Sequence, residues 1–432
     1  MHHHNFCSQA RPISPHIEIT RRRGAIQASL FVCFKLNPDL IKCCLKMLLM
    51  SRPCASLAQV RSYHLPFSSF ELDLGAMRMT LIHYVQSNVM QGSLYNSASI
   101  GQIAAHAVAY GAIERAAQNI FLMTDAQTPV DIIDLGCSSG VSSVNLGTRV
   151  LNSFRAAGIR KNIRYTFMDL PSNDWQSLLS TVQAAPAFAS HQEKVYAYAQ
   201  AADFFERVAP ERSVHLYLSM IALHWMAGPP KEHAASLQAF PSVFAQESEV
   251  PTSVKQIWAR KAKADLVLFL NLRAKELRPG CDAVLLMVGG DGERDWLGRG
   301  GGEKSILQEA LCRAADEGEI DKGAPHKAFI STYFRSDLEV QEAVGMVKEF
   351  EVVEAKTIVV PIAKGLGRAS GAMCDLAWSI FSTSIQASTG LHRSEMKHVR
   401  RHLGGVLDER YSSNQGALHA YHLLVVRRRL EI

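Results

Sequence analysis

A chain of 432 residues, 47% hydrophobic and 20% charged, carries enough apolar material for a large core and points to a globular protein. Its net charge of +6 is concentrated in residues 1–70, which hold nine of the 46 Lys and Arg and two of the 40 acids, leaving 37 bases against 38 acids in the remainder. A body so near neutrality argues against a nucleic-acid partner, which needs cations clustered on one face.

Residues 1–75 form a basic N-terminal extension rich in Arg, Ser and Cys and broken by Pro12, Pro15, Pro38, Pro53 and Pro66. Three readings are open: an organelle transit peptide, a disordered tail, or upstream sequence that is not part of the natural protein, with Met47, Met50 or Met77 as the true start. The expected location is an organelle in the first case and the cytoplasm otherwise. Cys7, Cys33, Cys43, Cys44 and Cys54 lie in this extension, while Cys137, Cys281, Cys312 and Cys374 are scattered beyond it without metal-ligand spacing. Neither a zinc site nor a disulfide framework is expected, and a reducing compartment fits best. No run of eighteen apolar residues suggests a membrane span.

In the body, residues 97–120 show apolar positions three and four apart, the period of an amphipathic helix. Residues 130–135 then read as a first strand, 141–156 as the helix it feeds, and 162–168 as a second strand ending at Asp169, which makes a right-handed βαβ unit. Further strands are expected at 195–199, 213–219 and 282–288, the last two as continuous apolar runs of the kind buried on both sheet faces. A helix over 254–277 should stop at Pro279–Gly280. Residues 350–360 and 417–428 supply two late strands. The fold class is α/β, a doubly wound sheet. Insertions over about 229–265, 289–337 and 365–411 are expected to cap it at one end.

Between the first strand and its helix lies DLGCSSG, residues 134–140. A buried strand running into a glycine turn presents backbone N–H groups to a ligand. Gly136 and Gly140 are four apart and follow Asp134, unlike the GxGxxG of nicotinamide enzymes, so the spacing suits a ligand without a pyrophosphate. S-adenosylmethionine is such a ligand, and Asp169 at the end of the second strand is placed to take its ribose hydroxyls. A tight turn with no ligand is the alternative reading of the same residues.

DLGCSSG, MDLPSNDW (168–175), SMIALHWM (219–226) and FLNLRAKELRPG (269–280) occur in the order found in the SABATH methyltransferases, which the chain resembles over residues 77–432. The resemblance implies a seven-stranded class I (Rossmann-like) methyltransferase sheet with a helical cap. It also implies S-adenosylmethionine as methyl donor and a small carboxylic acid, aromatic or terpenoid-like, as acceptor. Residues 94–102 resemble the family's S-Y-A-x-N-S-x-x-Q, which implies Tyr95 and Ser99 as cofactor contacts and Gln102 as a substrate contact. Asp134, Gly136, Cys137 and Ser142 would border the methionine part of the cofactor, Asp169 and Leu170 the ribose, and Asp203 and Phe204 the adenine. Ile221, His224 and Trp225 fall on the substrate side. The family's frequent homodimers imply self-association, with no membrane or nucleic-acid partner.

Three departures stand out: Ala98 for the family's Asn, Ile221 for its pocket Tyr, and a shortened glycine-rich opening before Tyr95. Ile221 keeps in view an N-methyltransferase acting on a heterocycle, and Ala98, with Ser142 where the family often has Asn, keeps in view a catalytically silent binding subunit. No catalytic base or metal is expected, because a carboxylate is already a nucleophile at neutral pH. The site would work by aligning the acid and excluding water, with the amide of Gln102 and the indole N–H of Trp225 as neutral donors to it.

Overall fold

The computed structural model describes residues 100–124, 128–189, 194–231, 242–289, 297, 304–361, 369–411 and 418–430, together with five short upstream strands. Those strands form a two-stranded antiparallel pair, Glu18–Arg22 with Ala25–Ser29, and a three-stranded sheet of Val60–Ser62, Ser68–Asp73 and Arg78–His83. Residues 1–63 and 69–81 group as one unit and residues 64–68 and 82–432 as another.

The second unit is built on a seven-stranded sheet: β1 Val130–Leu135, β2 Ile163–Asp169, β3 Val195–Ala201, β4 Val214–Met220, β5 Leu277–Val288, β6 Phe350–Pro361 and β7 Leu418–Arg428. The spatial order is β6-β7-β5-β4-β1-β2-β3, with β5 to β3 parallel and β7 antiparallel to both of its neighbours. The central strands are what the apolar runs predict. Every residue of β4 is buried, as is every residue of β5 from Gly280 to Val288, because helices cover both faces of a parallel sheet. The edges differ: Tyr196 and Tyr198 of β3 and Val352, Val353 and Val359 of β6 are exposed.

Chain order runs β1, α3 (Val141–Ala156), β2, α4 (Trp175–Ala184), α5 (Pro186–Ala189), β3 and β4, then α6 (Thr252–Glu276) into β5. Ahead of β1, the expected single helix is two: α1 Ile100–His106 and α2 Tyr110–Met123, separated by one tighter 3-10 turn at Ala107–Ala109. That turn rephases the buried face, so that Ala109, Ala112, Ile113, Ala116 and Ile120 all point inward. α1 and α2 both pack on α3.

A second expectation is also corrected. α6 ends at Glu276, and Pro279–Gly280 lies inside β5, within a register shift between Leu277 and Asp282. Gly280 takes φ +80° there, so the Pro-Gly pair serves a strand irregularity rather than a helix stop.

The remaining helices are α7 Ile306–Asp316, α8 Ala324–Lys327, α9 Asp337–Gly345, α10 Ala369–Thr389 and α11 Arg393–Tyr411. α11 packs on both α7 and α10, which makes the helical cap one layer. A small satellite core gathers Met226, Ala245, Val250, Val254, Trp258, Ala262, Phe329 and Tyr333 from segments distant in sequence. No helix among the described residues is long and apolar enough to cross a membrane.

Candidate active site

In the order β3-β2-β1-β4-β5 the chain changes direction between β1 and β4, and a crevice opens outside the carboxyl ends of an open α/β sheet where this happens. The predicted residues fall at those ends: Asp134, Gly136 and Cys137 at β1, Asp169 and Leu170 at β2, Asp203 and Phe204 after β3, and Ile221, His224 and Trp225 after β4. Parallel pairing in register brings four segments, up to 91 residues apart, to one edge.

The glycine turn is held by its neighbours. Gly136 and Cys137 donate their backbone N–H to Met168 O at 2.8 and 3.1 Å, which ties the end of β1 to β2. Gly136 has φ +87°, and a Cβ there would lie 2.5 Å from Cβ of Ala222. Turn and post-β4 loop therefore touch where only a hydrogen fits. Gly140 opens α3 at φ +108°, with Leu178 behind it at 2.8 Å from an added Cβ. We expect Gly136→Ala to lower stability by about 2 kcal/mol through the left-handed backbone and the clash together; a melting midpoint equal to that of the parent would contradict this close approach.

Asp169 organises the turn's other side. One carboxylate oxygen accepts from Ser138 N and the other from Leu170 N, both at 2.7 Å. Ser138 is itself left-handed, at φ +50°, and its carbonyl accepts from Asn173 Nδ2 at 2.8 Å. Each oxygen of Asp169 keeps lone pairs for a further donor, and the side chain is only half-buried. Packing against protein pushes its carboxyl up from 3.8 to about 6 despite the two amide donors. Asp134 is buried, and burial followed by the neighbouring Asp169 charge raises it to about 7, against a hydrogen bond from Ser143. Its Oδ2 is buried without a hydrogen-bond partner, and so is Ser142 Oγ. Cys137 is buried and its thiol is pushed well above the ordinary range, by burial first and then by the two carboxylates. It is a wall and no nucleophile.

Two close carboxyls, one holding an unpaired buried oxygen, beside a cradle too narrow for a Cβ, suit a cationic ligand with hydroxyl groups. The ammonium, sulfonium and ribose diol of S-adenosylmethionine meet that description.

Asp203 and Phe204 begin the loop after β3. Asp203 Oδ1 accepts from Phe205 N at 2.8 Å in a local turn, and Phe204 packs edge-on to Phe205 and Phe269. The loop is fastened from below by Arg273, fully buried, whose guanidinium donates to Phe204 O at 2.9 Å, Glu206 O at 2.7 Å and Glu276 Oε2 at 2.7 Å. Glu276 also accepts from Tyr217 Oη and Val208 N. The sequence segment FLNLRAKELRPG thus supplies the strut for this loop.

On the other side, Ile221 leaves β4 with φ +62°, a strained conformation for a β-branched residue, held by its N–H to Leu286 O at 2.6 Å. Strain of this size is kept where the chain must turn sharply. It turns His224 and Trp225 into an aromatic cluster: His224 stacks on Phe334 with centroids 5.4 Å apart, Trp225 meets Phe381 at 6.1 Å, and Phe244 joins Phe334 and Phe381. Phe381 comes from α10 in the cap. The indole N–H of Trp225 has no protein acceptor among the described residues. Gln102 lies on α1, buried, and its Oε1 has no hydrogen-bond partner. Tyr95 and Ser99 lie outside the described residues.

Phe244, Phe334 and Phe381 were not foreseen. They sit in segments without a motif and no richer in aromatics than the chain as a whole, so nothing in the sequence singles them out. The chain matches the family model of the SAM dependent carboxyl methyltransferases over residues 88–413. It is 25% identical over 263 residues to anthranilate O-methyltransferase 1 of Zea mays, covering 56% of this chain and 68% of that one. With jasmonate O-methyltransferase of Arabidopsis thaliana it shares 24% over 254 residues, 52% of this chain and 64% of the relative. Among solved structures a loganic acid methyltransferase with SAH aligns at a TM-score of 0.64 and 20% identity, over 78% of this chain and 96% of that one, a likeness of fold.

Proposed function

Because the chain belongs to the family of S-adenosylmethionine-dependent carboxyl methyltransferases, the SABATH group its motifs resemble, we propose that it methylates a small apolar acid of aromatic or terpenoid-like skeleton. The observation that carries the apolar character is the wall of Trp225, Phe244, Phe334 and Phe381. S-adenosylmethionine supplies an electrophilic methyl group bonded to a sulfonium, and the product is the methyl ester.

The chain's own residues have three tasks. Asp169 is assigned the ribose hydroxyls, through lone pairs left after Ser138 N and Leu170 N are bound. Asp134 and Ser142 are assigned the polar amino-acid end, with Gly136 and Cys137 as close walls, and Asp203, Phe204 and Leu170 the base and its ribose. Trp225 and Gln102 are assigned the acid, with Ile221 and His224 shaping its pocket. Neutral donors orient a carboxylate without the charge neutralisation an arginine would bring, so its nucleophilicity survives. A buried aromatic enclosure excludes water from the reacting oxygen.

The raised carboxyls give this reading a pH signature. Folding lifts Asp169 from 3.8 to about 6 and Asp134 to about 7, so the ligand-free fold holds protons that the unfolded chain releases. Their contribution to stability is therefore fully present below about pH 4 and is lost as the pH rises through 6 and 7. A cationic ligand prefers both carboxylates ionised. Its affinity should rise between pH 5 and pH 8, with proton release on binding near pH 6, measured by calorimetry in buffers of different ionisation enthalpy; proton uptake would contradict the assignment.

Substrate class is tested by turnover of a panel of acids. Aromatic and terpenoid acids should exceed hydroxylated or dicarboxylic acids of equal size in kcat/KM by about tenfold or more, and a preference for the polar acids would overturn the apolar reading.

A further inference from the structure

The segment after β4 that carries His224 and Trp225 is fastened at both ends to one helix. Arg335, 2% exposed, donates through Nη1 to Leu223 O and through Nη2 to Ala262 O, both at 2.6 Å, with Nε adding a 3.2 Å bond to Ala262 O. Asp265, one turn further along α6, accepts from Ala227 N at 3.1 Å and is held by Lys261. Between these two anchors the backbone of Met226 donates to Ser331 O at 3.0 Å, and His224 O accepts from Tyr333 N at 2.9 Å. Arg335 and Asp265 bracket the five residues 223–227.

A buried guanidinium is a costly way to tie two carbonyls together. No carboxylate lies within ion-pair distance of Arg335 among the described residues; Asp265 and Glu339 act on it only from farther off. Burial accordingly pulls it down to about 10. An apolar side chain would fill the volume with less desolvation, but it could not span Leu223 O and Ala262 O with a planar fork. What the fork fixes is the direction of the Leu223 carbonyl, one peptide before His224.

We propose that Arg335, assisted by Asp265, is the positioning residue that sets Trp225 and His224 in the acid pocket. This rests on the reading that Trp225 faces the acid. Arg335 touches neither donor nor acceptor in this scheme and acts through the 223–227 backbone, so its removal should leave donor binding intact.

The test is a double-mutant cycle in the full chain. Arg335→Lys keeps the charge but reaches one carbonyl, and should raise KM for the best acid by about tenfold while Kd for S-adenosylmethionine stays within twofold. Trp225→Phe should raise the same KM. Combined, the two should cost clearly less than the product of their separate effects, because one acts through the other. An unchanged KM in Arg335→Lys, or full multiplicativity with Trp225→Phe, overturns the positioning role. An unchanged KM in Trp225→Phe instead overturns the reading of Trp225. If Arg335→Lys fails to fold, Asp265→Ala loosens the other anchor and should raise KM by about threefold with donor Kd unchanged; no change in KM there overturns the proposal as well.

Discussion

Replacing Asp169 with alanine should weaken S-adenosylmethionine binding by at least about 100-fold, because the proposed assignment gives it two charge-assisted hydrogen bonds from the ribose hydroxyls, each worth about 1.5–3 kcal/mol. The effect should exceed that of a simple contact residue. Asp169 also holds Ser138 N and Leu170 N at 2.7 Å, so its loss releases the turn in which Ser138 sits at φ +50°. Asp169→Asn is expected to fall nearly as far. One of its two termini must then present N–H₂ to a backbone N–H, and a neutral amide loses the ionic share of the ribose interaction. Calorimetric titration of the folded variants reads this directly. An affinity within threefold of the parent would remove Asp169 from the ligand site.

The second large effect is one of stability. Arg273→Ala should destabilise the fold by about 3–5 kcal/mol, the usual cost of breaking a buried ion pair from one side. Arg273 and Glu276 are both fully buried. Without the guanidinium, Glu276 keeps Tyr217 Oη, Val208 N and the more exposed Arg207, while Phe204 O and Glu206 O lose their donor. The loop carrying Asp203 and Phe204 should loosen along with the core. Arg273→Met combined with Glu276→Gln should recover part of the loss, since no uncompensated charge is then left behind. Urea midpoints at constant slope measure both; a loss below about 1 kcal/mol for Arg273→Ala would show that the strut is dispensable.

The sheet was legible because its central strands are apolar on both faces: 130–135 matches β1 residue for residue, and 213–219 differs from β4 by one position at each end. The positions of Asp134, Gly136, Cys137 and Asp169 were legible for a related reason, since residues at the carboxyl ends of parallel strands are placed by the sheet whatever the loops do. Local periodicity failed where hydrogen bonding, not side-chain pattern, decides the backbone. The 3-10 turn at Ala107–Ala109 lies within an unbroken apolar rhythm, and Pro279–Gly280 reads identically as a helix stop and as a strand irregularity. The aromatic cluster after β4 was half legible. His224 and Trp225 belong to a motif, but Phe244, Phe334, Phe381 and Arg335 reach them only through tertiary packing of segments with no period of their own. Arg335 in particular looks like a surface cation ahead of the Ser336–Glu339 capping box, and only its burial shows otherwise.

Methyl transfer to a carboxylate is tested most directly by the position of the methyl group in the product. The full chain, supplied with methyl-labelled S-adenosylmethionine and an aromatic acid that also carries a ring nitrogen, offers both acceptors in one molecule. The label should be recovered as methanol after mild alkaline hydrolysis, the signature of a methyl ester. Label that stays on the ring through alkali would mean that nitrogen, not the carboxylate, is held in line with the donor.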